Sequence, residues 1–353
     1  MTRFALALAA LLALPATAFA QEAKPRWSLV IHGGAGTIQR ENMTAEKDAE
    51  IRAKLDEALV AGSEILEAGG SSLDAIQAAI MILEDDPNFN AGRGAVFTWE
   101  GTNSLDASIM RGDTLAAGAV AGLSTTRNPI LAARAVMEQS PHVLLSGSGA
   151  DTFATEQGIT QVDPIYFYTE DRFQALQRFK ENEMRGANAE QLEVDYKFGT
   201  VGAVAMDTQG VISAGTSTGG MTGKRWGRIG DSPIIGAGTY ADRNCGVSAT
   251  GSGEYFIRLA VAYRICTLRT NRMFADEFYG ELDKQRTPPS PSFLTQRSAD
   301  NAIAAVGKLG GSGGVIFLSP DGTPGWSFDT PGMYRGSATS ADGRTVAIYG
   351  DEE

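Results

Sequence analysis

Three threonines stand in glycine-rich stretches of the chain, and each is a candidate for nucleophilic chemistry. They are Thr200 in FGTVGAV, Thr218 in TSTGGMT and Thr250 in SATGSGE. A threonine hydroxyl needs a base to take its proton, and a free α-amino group on the same residue can be that base. An α-amine has a reference pKa of about 7.7–8.0, so a useful fraction is neutral near pH 7. Cleavage of the peptide bond before a threonine would therefore create nucleophile and base together.

Of the three, Thr200 has the sequence context of a cleavage site. Residues 151–197 are mostly polar and charged and partly helical by pattern, and an apolar strand over 200–206 follows. Gly199 is small enough to let the backbone distort while the Thr200 hydroxyl attacks the preceding carbonyl. We predict a mobile connection over about 155–199 and cleavage between Gly199 and Thr200. A Gly-Thr pair at a strand start is common, so the prediction needs support from the rest of the chain.

Other nucleophile systems are not favoured. Only two histidines occur, His32 and His142, which excludes a His-rich metal centre and leaves a His-based triad only if one of them serves it. Two stretches, 215–219 and 310–314, have the G-x-S-x-G spelling, but neither has the strand before and the helix after that the hydrolase elbow requires. We expect His32 to be a packing and hydrogen-bonding residue, and we expect no cofactor for catalysis.

The first twenty residues have the pattern of a secretory signal peptide. Arg3 gives a positive start, 4–14 an apolar core, and Ala18-Phe19-Ala20 a small-x-small cleavage site. The alternatives are an N-terminal helix of the fold or a membrane anchor, and the apolar run is short for a membrane span. We therefore predict an exported protein, periplasmic or secreted, with no membrane contact after the signal is removed.

Charge and cysteine content narrow the possible partners. The net charge is −12, or −13 once Arg3 leaves with residues 1–20, and there is no block of Lys and Arg. These values argue against binding to nucleic acid or to an anionic membrane surface. Cys245 and Cys266 could pair in an oxidising compartment, and two buried thiols are an equally open alternative.

The spacing of apolar residues predicts helices and hairpin-linked strands without regular βαβ alternation. This arrangement indicates antiparallel sheets covered by helices. Helices are expected at 45–68, from Ser71 or Ser72 to before Pro87, from Asn128-Pro129 to about Gln139, at 253–268 and at 294–307. Strands are expected at 27–31, 115–123, 142–146 (buried), 313–318, 325–328 and 345–349, and hairpins at 95–110 and 200–216.

Several separate segments resemble one known family, the plant-type asparaginases (isoaspartyl peptidases). They are 31–38 (IHGGAGTI), 89–110, 118–137, 199–242 and 248–263. The resemblance spans nearly the whole mature chain. It implies an α+β fold, the four-layer αββα sandwich of N-terminal-nucleophile (Ntn) hydrolases, with two antiparallel sheets between helical layers. It also implies self-cleavage before Thr200 and an (αβ)₂ assembly of an α subunit (21–199) with a β subunit (200–353). The implied activity is hydrolysis of β-aspartyl dipeptides and L-asparagine through an acyl-enzyme on Thr200.

The matching motifs also imply residue roles in catalysis. Thr200 would be the nucleophile and, through its amine, the base. Thr218 resembles the threonine that positions the nucleophile. Thr250 resembles the oxyanion-hole threonine and Asn90, in FNAG, a second oxyanion donor. Such donors change rates by about 10²–10³.

The same motifs imply a site for the amino-acid end of the substrate. Arg228 and Asp231 in GRIGDSP would hold the α-carboxylate and the α-ammonium group, with backbone contacts from Gly251 and Gly253. A surface ion pair across a turn is the alternative interpretation of Arg228 and Asp231. The segment GKRW departs from a plain match, because Lys224, Arg225 and Trp226 add bulk and charge that could change which leaving groups are admitted.

The loop 83–93 resembles one that binds a structural sodium ion through main-chain carbonyls. The implied ligands are Leu83, Glu84, Asp86, Phe89, Ala91 and Arg93. The alternative interpretation is an ordinary helix end and turn.

Two rival functions stay open at this point. A glycosylasparaginase of the same fold tends to have STNG where this chain has residues 217–220 (STGG), and ATGDGD where it has 249–254 (ATGSGE). An exported protein that binds an amino acid without cleaving itself is a rival of another class, and the intact set of three threonines argues against it. Ser252, where the family often has threonine, preserves the hydroxyl.

Overall fold

The computed structural model of the chain describes residues 26–186, 199–282 and 289–352, with backbone only for 272–282. The predicted signal peptide at 1–20 lies outside the described residues. Within them, no helix combines the length and apolarity needed to cross a membrane. The helices are α1 (Ala45–Glu67), α2 (Ser72–Glu84), α3 (Pro129–Gln139), α4 (Gly147–Glu156), α5 (Glu170–Met184), α6 (Gly253–Leu259), α7 (Val261–Leu282) and α8 (Pro291–Lys308).

Twelve strands form two sheets among the described residues. The large sheet has the order β12-β11-β1-β5-β6-β2-β3-β4, and the small sheet has the order β10-β9-β8-β7. The strands are β1 (Ser28–Gly36), β2 (Leu105–Arg111), β3 (Ala117–Leu123), β4 (Leu144–Ser146), β5 (Val201–Met206), β6 (Ile212–Thr218), β7 (Thr239–Asp242), β8 (Cys245–Gly251), β9 (Gly313–Leu318), β10 (Pro324–Phe328), β11 (Gly332–Thr339) and β12 (Gly343–Tyr349).

Helix caps determine where the first helical layer begins. The Thr44 side chain accepts a hydrogen bond from the N–H of Lys47 at the start of α1. Ser71 does the same for Asp74 at the start of α2, and its hydroxyl also donates to the Asp74 carboxylate at 2.6 Å. These contacts satisfy N–H groups that a helix leaves unpaired. The predicted helix starts are confirmed, and α1 and α2 cover the outer face of the large sheet.

The order of layers is helix, sheet, sheet, helix. Apolar residues of α1 to α3 form one core with the large sheet, and those of α6 to α8 form another with the small sheet. A third core lies between the sheets, where Val30 and Val204 meet Ile316 and Leu318. The predicted α+β, four-layer αββα architecture is confirmed. One neighbouring pair, β3 with β4, is parallel, so the prediction of two purely antiparallel sheets was wrong there.

A disulfide bond joins the small sheet to its helical layer. Cys245 begins β8, Cys266 lies in α7, and their Cα atoms are 5.6 Å apart. Both side chains are buried in the core that α7 and α8 form with this sheet. The alternative of two buried free thiols is therefore wrong. The bond fixes the end of β8 that is farther from Thr250.

Some predicted elements need correction. The hairpin at 95–110 is reduced to one bridge between Phe97 and Asn103, because β2 pairs instead with β3 and β6. The strand predicted as buried at 142–146 is the edge strand β4, and Leu144 is 49% exposed. The strands β7, β8 and β11 were not predicted. Their small and polar residues lack the alternation by which a strand is recognised.

The predicted mobile connection begins too early. Residues 170–184 form helix α5, with Ala175, Leu176 and Phe179 buried. The charged residues around these three positions conceal the apolar stripe in the sequence. Residues 187–198 of the predicted connection lie outside the described residues.

Candidate active site

Strand pairing brings two of the three threonines together. Val201 on β5 pairs with Ser217 on β6, so Thr200 and Thr218 are neighbours at the same end of the large sheet. Their hydroxyl oxygens are 3.0 Å apart. The Thr218 hydroxyl also lies 3.4 Å from the carbonyl oxygen of Gly199 and accepts the Gly220 N–H at 2.9 Å. The predicted nucleophile, the predicted positioning residue and the carbonyl of the predicted cleavage site therefore lie next to one another.

The glycine-rich second half of β1 packs against the predicted cleavage site. A Cβ atom at Gly34 would lie 2.6 Å from Cα of Gly199 and 3.1 Å from the Thr200 nitrogen, and Gly34 has a φ of +113°. Only glycine tolerates both the contact and the conformation. The sequence motif HGGAG marked this position, but no role was predicted for Gly34.

Thr250 reaches the same place from the small sheet. Its side chain is fully buried on β8, and its hydroxyl oxygen accepts the N–H of Ala35, the residue after Gly34, at 3.3 Å. Because the oxygen acts as acceptor in that bond, the hydroxyl proton is left to donate. Thr250 thus has the chemistry of an oxyanion donor.

Asn90 lies beside Gly199 and has its amide group engaged on both sides. Its Nδ2 donates to the Gly220 carbonyl at 2.7 Å, and its Oδ1 accepts the Val96 N–H at 2.9 Å. A Cβ at Gly199 would lie 3.0 Å from the Asn90 Cβ. An amide nitrogen carries two hydrogens, so the contact with Gly220 leaves one for an oxyanion.

A small cavity opens directly over these groups. Its lining residues are Gly199, Thr200, Thr218, Gly220, Met221, Arg228, Gly230, Asp231, Ser232 and Gly251. Six of these are predicted site residues, and two of the six, Arg228 and Asp231, carry charged groups. The cavity therefore brings threonine hydroxyl groups together with a guanidinium and a carboxyl group.

The predicted substrate-binding arginine has an ionic partner that was not predicted. Arg228 donates from Nε and Nη2 to the two carboxylate oxygens of Glu254, at 2.8 and 2.9 Å. Although partial burial opposes ionisation, these bonds lower the pKa of Glu254. The two residues are 26 positions apart, and only the fold joins them. The fork fixes the orientation of the guanidinium group and leaves Nη1 for another acceptor.

Asp231 is buried with an unpaired oxygen. Burial raises its pKa to about 7, against the opposing effect of Arg228. Its Oδ2 atom has no hydrogen-bond partner among the described residues. A buried carboxyl group of this kind gains a partner when an ammonium group enters.

The two glycines of the ATGSG motif provide space for this pair. A Cβ at Gly253 would lie 2.8 Å from Oδ1 of Asp231 and 2.9 Å from Nη2 of Arg228. Gly251 lines the cavity with a φ of +145°, and a side chain there would collide with the Ser312 carbonyl. The backbone can therefore approach a bound molecule closely at both positions.

His32 belongs to a buried chain of hydroxyl groups between the sheets. Its Nε2 lies 2.8 Å from the Ser248 hydroxyl, which is 2.7 Å from that of Thr216. The chain goes on through Thr239 and Ser108. Burial lowers the pKa of His32 to about 3, so the ring is neutral. This agrees with the predicted packing and hydrogen-bonding role.

The loop 83–93 has main-chain carbonyls on its inner side. A side chain at Gly94 would collide with the carbonyl oxygen of Phe89, and one at Gly92 with that of Glu84. Converging carbonyl oxygens are suitable ligands for a hard cation such as sodium. A Cβ at Gly94 would also lie 2.7 Å from the Pro87 carbonyl oxygen, a group that was not among the predicted ligands.

The carboxyl group of Glu84 has a separate function from its main chain. It accepts the Ser217 hydroxyl at 2.6 Å and the Ile130 N–H at 3.1 Å. Ser217 is next to Thr218, so this buried side chain joins the loop to the strand end that carries the threonine predicted to position the nucleophile. No pattern in the sequence predicted this contact.

The three bulky residues of the GKRW segment lie in different environments. Lys224 is buried and donates to the Ser104 carbonyl at 2.7 Å. Arg225 stacks over the ring of Trp99, with its guanidinium carbon 3.6 Å from the ring centre. Trp226 is 93% exposed. Of the three, Trp226 is the one most open to a molecule approaching from solvent.

Comparisons with known proteins agree with this geometry. The asparaginase family model matches residues 25–277. The isoaspartyl peptidase of Escherichia coli (strain K12) is 43% identical over 324 residues, which cover 91% of this chain and 95% of the relative. The plant-type L-asparaginase of Pyrococcus horikoshii is 47% identical over 249 residues, covering 67% and 77%. The isoaspartyl peptidase/L-asparaginase of Mus musculus is 43% identical over 235 residues, covering 66% and 70%.

The extent of these matches decides the question of family. Thr200, which precedes β5, Thr218 on β6, Thr250 on β8 and the pair Arg228 and Asp231 all lie inside the matched range 25–277. With the αββα fold around them, they show that this chain belongs to the asparaginase family, together with isoaspartyl peptidases and plant-type L-asparaginases.

Proposed function

We propose that this chain is an exported, self-processing amidohydrolase that acts on β-aspartyl dipeptides and L-asparagine. The observation that carries the proposal is the contact of the Thr200 and Thr218 hydroxyls, 3.0 Å apart, next to the Gly199 carbonyl. The names of the relatives support the substrate class.

Maturation would begin at the Gly199–Thr200 peptide bond. The Thr200 hydroxyl attacks the Gly199 carbonyl carbon, its proton passes to the Thr200 nitrogen, and the C–N bond breaks. Water then hydrolyses the resulting ester. The products are a carboxylate on Gly199 and a free amine on Thr200, so one reaction prepares the base for the next.

Substrate hydrolysis would use the same hydroxyl. The neutral Thr200 amine takes its proton, and the oxygen attacks the side-chain carbonyl carbon of the bound substrate. Thr250 and Asn90 stabilise the oxyanion. The leaving amine takes the proton and departs as ammonia or as an amino acid, and water releases aspartate from the ester on Thr200.

Selection of the substrate would depend on its free amino-acid end. Arg228 would bind the α-carboxylate and Asp231 the α-ammonium group, which would pair with the unpartnered Oδ2. A peptide with its aspartyl amino group blocked would lose the second contact. A cavity with one carboxyl and one guanidinium group can therefore bind both charged groups at the free end of an aspartyl or asparaginyl residue.

Three further features belong to the proposal. The (αβ)₂ assembly and the sodium ion, held by carbonyls of the loop 83–93, follow the family resemblance. Export follows the residues 1–20, and the disulfide Cys245–Cys266 supports an oxidising compartment. Catalysis itself would need no metal, because the Thr200 amine is the base.

The experiment compares wild type with Thr200→Ala and Thr200→Ser on denaturing gels and in activity assays. Wild type should give two bands and hydrolyse β-aspartyl dipeptides and L-asparagine. The alanine variant should stay intact and inactive, and the serine variant, which retains a hydroxyl, should be cleaved at a reduced rate. An intact wild-type band with full activity would contradict the proposal. Preference for a glycosylated asparagine would instead identify the substrate of a glycosylasparaginase.

A further inference from the structure

The turn Arg225–Arg228 carries the substrate-binding arginine and has an unfavourable sequence for its shape. The N–H of Arg228 donates to the Arg225 carbonyl at 2.9 Å, which closes the turn. Both central residues have positive φ angles, +56° at Trp226 and +67° at Gly227. This is the pattern of a type I′ turn, which favours Gly, Asn or Asp at those positions. A tryptophan there strains the backbone, so the turn must be held by contacts outside it.

Arg225 makes the contacts that hold one end of the turn. Its guanidinium group stacks on Trp99, 3.6 Å from the ring centre, and forms an ion pair with Glu183 of α5. Lys180, also on α5, lies over the same ring at 5.1 Å. The side chains of Arg225 and Glu183 are 26% and 35% exposed, so solvent screens this pair only in part.

The backbone before the turn is clamped between the same elements. The N–H of Gly223 donates to the Phe97 carbonyl at 2.8 Å, and the N–H of Trp99 donates to the Lys224 carbonyl at 2.9 Å. A side chain at Gly223 would collide with the ring of Phe179 on α5, and that ring also meets Trp99 edge to face. Helix α5 therefore packs directly on the segment that leads into the turn.

The other end of the turn is held by the fork from Arg228 to Glu254. The turn is therefore held at each end by an ion pair, one to α5 and one to α6, and we call these two ion pairs its anchors. Helix α5 precedes the bond proposed to be cut, and the turn follows it. The anchor at Arg225 therefore connects the two chains that cleavage at Gly199 would produce.

We propose that Arg225 is a positioning residue: its stack on Trp99 and its ion pair with α5 hold the strained turn so that Arg228 faces the cavity. The proposal rests on the proposed function for its substrate. Two consequences follow. Helix α5 stays attached after cleavage, and loss of the anchor weakens substrate binding more than it slows the chemical step.

The test uses the mature enzyme with Arg225→Ala, Arg225→Lys and Glu183→Gln. The alanine variant should raise KM for a β-aspartyl dipeptide by about tenfold, a value typical of a cation–π stack joined to a partly buried ion pair. Its kcat should stay within about twofold. Lysine keeps the charge without the planar stack and should lie between. Glutamine at 183 keeps the shape of the side chain and should raise KM less than alanine at 225.

Hydrogen exchange gives a readout that does not need substrate. Amides of 221–230 and 170–184 should exchange faster in Arg225→Ala than in wild type. The matched control is Arg111→Ala, which removes an ion pair of 2.6 Å to Asp113 at the far end of β2. That variant should leave KM and exchange in both segments unchanged.

The outcomes distinguish failure of the proposed function from failure of the proposed role of Arg225. If wild type hydrolyses no β-aspartyl or asparaginyl substrate, the proposed function is wrong. Hydrogen exchange, which needs no substrate, then still tests whether Arg225 holds the turn. If wild type is active while Arg225→Ala matches it in KM and in exchange, the anchor is wrong. A fall in kcat at constant KM would also overturn it.

Discussion

The two ends of the cavity are built in different ways. At one end, Thr200, Thr218 and Thr250 lie on or beside strands of both sheets and are at least nine-tenths buried. At the other end, Arg228 stands on a turn and is held by a carboxylate from α6. The threonine end has its distances fixed by backbone pairing. The arginine end depends on side-chain contacts that cross long stretches of sequence.

This difference has a physical consequence for function. Strand pairing restricts the movement of the three threonines, and a displacement of about 1 Å in a reacting group can cost about 10²-fold in rate. A turn held by ion pairs can be shifted by single substitutions. We therefore expect changes at the threonine end to act on rate, and changes at the arginine end to act on substrate affinity and choice.

The largest effect is expected for Thr218→Val, which keeps the volume and removes the hydroxyl. That hydroxyl contacts Thr200, the Gly199 carbonyl and the Gly220 N–H. Self-cleavage and hydrolysis should each slow by about 10²–10³, measured by gel time courses and steady-state kinetics. Thr218→Ser retains the hydroxyl and is the control. A valine variant that matures and turns over at the wild-type rate would break the contrast between the two ends.

Removal of the disulfide bond tests how much the small sheet contributes to the threonine end of the cavity. Replacing Cys245 and Cys266 together by serine removes a link across 21 residues. The free energy of unfolding should fall by on the order of 3 kcal/mol, measured by urea titration. Because Thr250 lies at the other end of β8, kcat at 25 °C should stay within a few-fold. Unchanged stability would show that the bond adds nothing to this sheet.

Arg228→Lys tests the arginine end. Lysine keeps the charge but loses the planar fork that meets Glu254, and the geometry of carboxylate binding is lost with it. We expect KM for L-asparagine and β-aspartyl dipeptides to rise by about 10²-fold, with a smaller change in kcat. A variant that lost kcat and kept KM would place Arg228 in the chemistry instead, contrary to the comparison.

The smallest effect is a pH dependence from Asp231, whose pKa burial raises to about 7. Below that value the carboxyl group of the free enzyme is neutral and attracts an ammonium group weakly. Above it the group is ionised and binding improves. On the acid side, kcat/KM should therefore fall by about tenfold per pH unit.

Asp231→Asn is the control for this assignment. The variant should have a lower kcat/KM, and the part of the acid limb that titrates near pH 7 should disappear. If the acid limb of the kcat/KM profile has the same position and slope in the asparagine variant, another group is responsible for the titration. The Thr200 amine is then the first candidate.

The structural features that could be predicted from the sequence are those that interactions between nearby residues determine. The helix starts at residue 45 and at Ser71 or Ser72 could be predicted from short-range pattern, and the structure shows that Thr44 and Ser71 cap N–H groups three residues on. The αββα fold and the three threonines were predicted through whole motifs. Strand β8 was missed as an element because Ser248 and Thr250 are polar residues at buried positions, which removes the usual apolar alternation.

The parts that could not be predicted depend on contacts between distant residues. Glu254 pairs with Arg228 across 26 positions, and Glu84 reaches Ser217 across 133. Gly34 is required because β1 places it against Gly199, which no local pattern reveals. Helix α5 was taken for part of a mobile connection, since its three buried residues are surrounded by charge.

The central claim is that Thr200 becomes the N-terminal residue of the active enzyme. The direct measurement is intact-mass analysis with N-terminal sequencing of purified protein, run in parallel with its activity. We predict two chains, with the second beginning Thr-Val-Gly-Ala-Val and appearing in step with activity. A fully active single chain, or a new N-terminus at any other residue, would contradict the account.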